Sequence, residues 1–68
     1  MNTEHLVTMA NEIAAFFAAE PDKEAAAEQV ANHLRRFWAP TMREEITRFL
    51  RAGGAGLSEL AKRGITRL

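Results

Sequence analysis

Two prolines and a glycine pair limit every regular element this chain can form. Pro21, Pro40 and Gly53-Gly54 divide its 68 residues, and each stretch between them repeats apolar residues at helical spacing. The first predicted helix spans about 3–19, with Thr3 as N-cap and Leu6, Met9, Ala10, Ile13, Phe16 and Phe17 as its stripe. Val7 and Ala14 widen that stripe beyond what one packing face needs, and Pro21 ends it, because the residue before a proline avoids the α region. The second helix is predicted over about 22–38, capped by Asp22, with Ala27, Val30, Ala31, Leu34, Phe37 and Trp38 as its stripe. The third is predicted over about 41–52, where Thr41 and Glu44 read as a capping box and Glu44–Arg48 as an i, i+4 ion pair. Its stripe is Met42, Ile46, Phe49 and Leu50, and Gly53-Gly54 supply the left-handed stop.

A short fourth helix is expected at about 58–63, capped by Ser58, anchored by Leu57 and Leu60, and stopped by Gly64. Residues Ile65–Leu68 are expected to fray or to be held by a partner. No window alternates with period two, so strand is not expected. The predicted fold is all-α: a small three-helix bundle with a short fourth C-terminal helix or tail, one domain over residues 1–68.

A chain this short has a stability problem. Below roughly 70–80 residues, one core rarely contributes more than about 3–5 kcal/mol net, and small domains add disulfides, a metal or a partner. Cysteine is absent, which removes disulfides and thiolate ligands for zinc or iron–sulfur clusters. The two histidines, His5 and His33, fit no metal-site spacing. A partner is what remains. The apolar surface points the same way. Phe16-Phe17 and Phe37-Trp38 are adjacent pairs, and neighbours on a helix point about 100° apart. A thin bundle takes one member of each pair deeply and leaves the other at its edge or outside, where large exposed apolar groups mark binding surfaces.

The chemistry of catalysis is not apparent. Ser58 is the sole serine and is explained as a cap, while His33 lies beside the apolar stripe as a packing residue. Glu44 and Glu45 diverge around one helix and cannot face each other across a substrate. Gly53-Gly54-Ala55-Gly56 follows a helix rather than a strand and lacks a subsequent Gly-Lys-Ser/Thr, so it reads as a helix stop and tight connection rather than a phosphate loop. Those glycines also permit close approach of a partner's backbone.

Charge is balanced overall but not along the chain. Residues 1–34 hold six acids and one base, a balance of −5, while residues 35–68 hold eight bases and three acids, a balance of +5. Two readings stand: a two-signed surface that orients a partner, or helix electrostatics with acids near starts and bases near ends. Seven arginines and the connection around Trp38–Thr41 raise a small helical nucleic-acid-binding protein as a rival, against which the zero net charge argues. Apolar runs fall far short of the ~20 residues of a membrane span, and the N-terminus has no basic leader region, so a cytoplasmic location is expected.

The run Leu6-Val7-Thr8-Met9-Ala10-Asn11-Glu12-Ile13-Ala14-Ala15-Phe16-Phe17 resembles the opening helix of the delta subunits of NAD-dependent formate dehydrogenases. The run His33-Leu34-Arg35-Arg36-Phe37-Trp38-Ala39-Pro40-Thr41-Met42-Arg43 and the stretch Gly53-Gly54-Ala55-Gly56-Leu57 are similar to the same family, so that the resemblance covers about Leu6 to Leu60. Glu12 departs from a usual glutamine, and Ala39 and Thr41 flank Pro40 where Asp-Pro-Arg is typical. The resemblance implies a cytoplasmic complex that oxidises formate to CO2 with NAD+. A large subunit would carry a bis-pyranopterin molybdenum or tungsten centre and iron–sulfur clusters; others would carry FMN, further clusters and the NAD site. This chain would bind none of these and would be a non-catalytic accessory, permanent or a transient assembly factor. The expected partner-facing residues are Phe17, Phe37, Trp38, Pro40, Met42, Arg43, Gly53, Gly54 and Gly56, with the large catalytic subunit as partner and neither nucleic acid nor membrane.

Overall fold

The computed structural model describes residues 2–68 and holds four helices: α1 (Thr3–Phe17), α2 (Lys23–Phe37), α3 (Pro40–Arg51) and α4 (Glu59–Thr66). There is no strand among the described residues. Helix α2 packs most extensively on α4 and also on α1, while α3 closes the bundle against α1 and α4.

Local chemistry sets most boundaries. Asp22 caps α2 by accepting from the amides of Glu24 and Ala25, and Ser58 caps α4 by accepting from the amide of Ala61 at 3.2 Å. Lys23 donates to the carbonyls of Ala18 (3.1 Å) and Glu20 (3.3 Å) just past the end of α1, and Arg43 donates to the carbonyls of Trp38 (2.6 Å) and Arg35 (3.2 Å) at the end of α2. At the end of α3 the Gly54 amide reaches the Phe49 carbonyl and the Gly53 amide reaches that of Leu50, each at 3.0 Å. This is a Schellman closure, with Gly53 at φ 129° and Gly54 at φ 64°.

Several expectations are corrected. Asn2, not Thr3, caps α1; the Thr3 hydroxyl instead donates across the bundle to Glu45 at 2.6 Å. Helix α1 also stops at Phe17, short of residue 19. The Thr41–Glu44 capping box does not form. Pro40 itself opens α3, since its fixed φ and missing N–H suit the first helical position, and Ala39 becomes an N-cap without a side-chain bond. Arg48 pairs with Glu45 at 2.8 Å rather than with Glu44.

The largest correction is Gly64. It does not stop α4 but lies inside it, buried, where a β-carbon would sit 2.4 Å from Val30 Cγ1. Glycine serves there for closeness between helices, and α4 continues to Thr66. The segment expected to fray is held accordingly: Ile65 is buried, and Arg67 bridges Glu24 and Glu28 of α2.

The core sits between all four helices, with α3 contributing Ile46. Its largest fully buried side chains are Leu34, Ile46, Ile65 and Val30. Among the described residues, six of the thirteen buried apolar ones are alanines (10, 14, 26, 27, 31 and 61), so the helices approach closely and the enclosed volume is small. Large side chains elsewhere on α1 and α2 therefore cannot all enter.

Candidate partner-binding groove

The side chains left over gather in one place. Met9, Glu12, Ile13, Phe16 and Phe17 recur at helical spacing along α1 and form one wall of a groove of about 510 Å³. His33 and Phe37 of α2 form the other wall, with Trp38 and Met42 closing the end. Phe16 is 78% exposed and Phe37 is 67% exposed. An aromatic ladder runs across the opening. The Phe16 and Phe17 rings meet edge to face at 5.0 Å, Phe17 meets His33 at 6.2 Å, and His33 lies 4.7 Å from Phe37. The Arg36 guanidinium sits 5.7 Å from the centre of the Phe37 ring.

Of the residues expected to face a partner, Phe17, Phe37, Trp38 and Met42 come together here. Trp38 differs from the expectation in one respect: it is only 5% exposed and belongs to the core. It follows the last helical residue of α2 in extended conformation (φ −89°, ψ 141°), which separates its direction from that of Phe37. Pro40 and Arg43 line a neighbouring trough on α3 with Arg48 and Arg51. Gly53, Gly54 and Gly56 line neither.

Phe16 was not among the expected residues. Leu6, Ala10 and Ala14 are the buried positions of α1, four apart, and Phe16 lies off that row while Phe17 lies closer to it. A count of the four-residue row alone would have found it. Asn11 was also missed as more than a polar filler. Its side chain donates to the Gly56 carbonyl and accepts from the Ser58 amide, each at 2.9 Å, which fastens the α3–α4 loop to α1.

Part of the uneven charge is consumed within helices and part between α2 and the end of α4. Glu28 accepts from Arg35 at 3.0 Å and Arg67 at 3.3 Å, and the Arg35 hydrogen bond leads in holding its carboxyl below the usual range. The Thr3 hydroxyl does the same for Glu45, assisted by Arg48. Among the described residues no three or more His, Asp or Glu side chains gather as a metal site, and with no cysteine the chain lacks the ligand set of an iron–sulfur cluster. No described helix is long and apolar enough to cross a membrane.

A short four-helix chain with an alanine-lined core and an uncovered aromatic groove is the class that this fold and site define. The family model for the NADH-dependent formate dehydrogenase delta subunit FdsD matches residues 5–65, and the chain belongs to that family. It is the delta subunit of an NAD-dependent formate dehydrogenase, a complex in which other subunits accompany it. Comparison with curated proteins found no match, and comparison with solved structures found none.

Proposed function

We propose that this delta subunit is a non-catalytic accessory that docks through the α1–α2 groove onto the large metal-pterin subunit of a cytoplasmic formate dehydrogenase. There it stabilises the assembly or assists maturation of that subunit. The observation that carries the proposal is the pair Phe16 and Phe37, both mostly exposed beside an apolar groove on a chain with little core to spare. Burying such rings gives about 25 cal/mol per Å² of apolar surface, and aromatic anchors dominate interface energetics. Phe17 in the α1 wall and Met42 at the end add apolar contact, Trp38 backs the groove from the core, and Pro40 and Arg43 extend the contact onto α3. The whole chain acts as one helical unit, with Gly53, Gly54 and Gly56 shaping the α3–α4 loop.

The internal use of arginine favours protein over nucleic acid as the partner. Arg35, Arg48, Arg63 and Arg67 each lie beside a carboxylate of this chain, and Arg43 donates to backbone carbonyls, which lowers the positive charge available to phosphates.

The test is co-purification of the large subunit with Phe16→Ala and Phe37→Ala variants. Both residues lie outside the core, so the fold persists. Loss of a hot spot worth about 2 kcal/mol lowers affinity roughly 30-fold. Trp38→Ala is a poor probe, because emptying a buried tryptophan site costs about 3–5 kcal/mol of stability by itself. Undiminished co-purification with both phenylalanines truncated rejects the groove as the docking face. The ratio of this chain to the large subunit in purified active enzyme distinguishes a permanent subunit from a transient factor.

A further inference from the structure

Sulfur in this chain is confined to methionine, because cysteine is absent. Tyrosine is absent too, which leaves three methionines and one tryptophan as the side chains most open to oxidation. Trp38 is 5% exposed and enclosed by the core, and Met1 lies outside the described residues. Met9 and Met42 belong to different helices, α1 and α3, yet both line the same open groove, each half-buried and packed against the core. The oxidisable sulfur of the described residues therefore stands entirely on the face where the apolar surplus gathers.

Resting on the reading that this groove is the docking face, we propose that Met9 and Met42 are a modification site: hydrogen peroxide converts them to sulfoxides, and the modified chain no longer docks. In each step a thioether lone pair attacks one peroxide oxygen. The O–O bond breaks, the S–O bond forms, and the departing hydroxide takes up the proton of the transferred hydroxyl and leaves as water. Sulfur is oxidised and the peroxide is reduced.

The surroundings of the two sulfurs decide what the change does. A thioether is soft and apolar and fits beside aromatic rings, whereas a sulfoxide is polar and needs a hydrogen-bond donor once water is removed. The polar side chains that line the groove are Glu12 and His33. A carboxylate offers only acceptors, so the His33 ring N–H is the donor available to both sulfoxide oxygens. In the free chain water supplies the missing donors, and the helices stay folded. Under a partner surface shaped to thioethers water is excluded, and an unanswered S=O lowers affinity about tenfold. Docking in turn covers both sulfurs, so the site acts on chains not yet assembled, and methionine sulfoxide reductase reverses it.

The experiment treats the full delta chain with hydrogen peroxide, maps the added oxygens by mass spectrometry, and measures affinity for the formate dehydrogenase complex depleted of this chain. Met9 and Met42 are expected to gain one oxygen each while the helical circular-dichroism signal persists. Affinity is expected to fall about tenfold or more and to return after methionine sulfoxide reductase. A Met9→Leu/Met42→Leu chain, whatever its own starting affinity, is expected to keep it through the same treatment. In the assembled enzyme both methionines are expected to oxidise about tenfold more slowly than in the free chain, since susceptibility follows exposure. If they are protected in the complex but the oxidised chain docks undiminished, the modification proposal falls while the groove reading stands. Equal oxidation rates in free and assembled protein remove the groove as the docking face and this proposal with it. A peroxide effect that persists in the Met9→Leu/Met42→Leu chain assigns the loss to other residues, and a lost helical signal makes it unfolding; either overturns the proposal.

Discussion

Replacing Gly64 by alanine is the sharpest probe of how this bundle closes. Mid-helix, alanine is ordinarily better than glycine by about 1 kcal/mol. Here the added β-carbon would lie 2.4 Å from Val30 Cγ1, 2.7 Å from Val30 Cβ and 3.4 Å from the Ala27 carbonyl oxygen. Rotating Val30 can remove the Cγ1 clash but not the Cβ clash, which is fixed by the α2 backbone. Helices α2 and α4 must therefore separate by about 1 Å to reach the ~3.5–4.0 Å at which carbons pack. Overpacking costs about 1–3 kcal/mol, and the rigid neighbour places this case near the upper end. Subtracting the helix-propensity gain leaves a net loss of about 2 kcal/mol, which lowers the melting temperature by about 8–16 °C in a domain of this size. The assay is thermal or urea unfolding followed by circular dichroism, together with a double-mutant cycle. Val30→Ala alone removes two buried carbons and costs about 2 kcal/mol. Independent effects would sum to about 4 kcal/mol, but the new methyl in Gly64→Ala fills the space that Val30→Ala vacates, so the double variant should lose about 2 kcal/mol or less. A Gly64→Ala protein as stable as the parent, or a double variant that is merely additive, would falsify the close crossing.

Ala39→Asp should stabilise α3 by about 1 kcal/mol, seen as a higher unfolding midpoint, because the helix now begins at Pro40 without a side-chain cap. Asn11→Ala should cost about 1–2 kcal/mol and speed hydrogen exchange at the Ser58 amide, the donor that loses its acceptor. The carboxyls of Glu28 and Glu45 titrate below the unfolded value near 4.5, so the folded chain binds fewer protons than the unfolded chain through that range. Their stabilisation is therefore present above the ordinary carboxylate range and lost as pH falls through the lowered folded values. Unfolding measured against pH should accordingly show a shallower acid limb in a Glu28→Gln/Glu45→Gln protein, and an unchanged limb would reject those two groups as its source.

The helices were legible because their ends are marked by side chains that act on their own backbone. Asp22 and Ser58 cap as their sequence contexts imply, and Gly53-Gly54 terminate α3 through bonds to carbonyls within the preceding turn. Reading failed where the reason for a residue lies on another helix. Gly64 has the local signature of a stop, yet its role is set by Val30, far away in sequence. Thr3 has the signature of a cap, but Asn2 takes that task and Glu45 takes the hydroxyl. At Pro40 two local signals competed, and the proline's preset geometry outweighed the threonine–glutamate box. The site was half visible. The two aromatic pairs announced surplus bulk; in the first, Phe16 stands off the buried row of α1, and in the second the outward member depends on where α2 ends. Phe37 is the last helical residue and Trp38 the first extended one, so one backbone angle decides that the indole goes in and the benzyl ring stays out.

The alanines where the helices meet also bear on how such a chain could change over time. Val or Leu at Ala27 or Ala31 would wedge the layers apart, and the widened interior could draw in rings that now stand in water. A sturdier solitary protein could emerge, but with a blander exterior and less for another polypeptide to grip. Selection for partnership would then keep these crossings narrow.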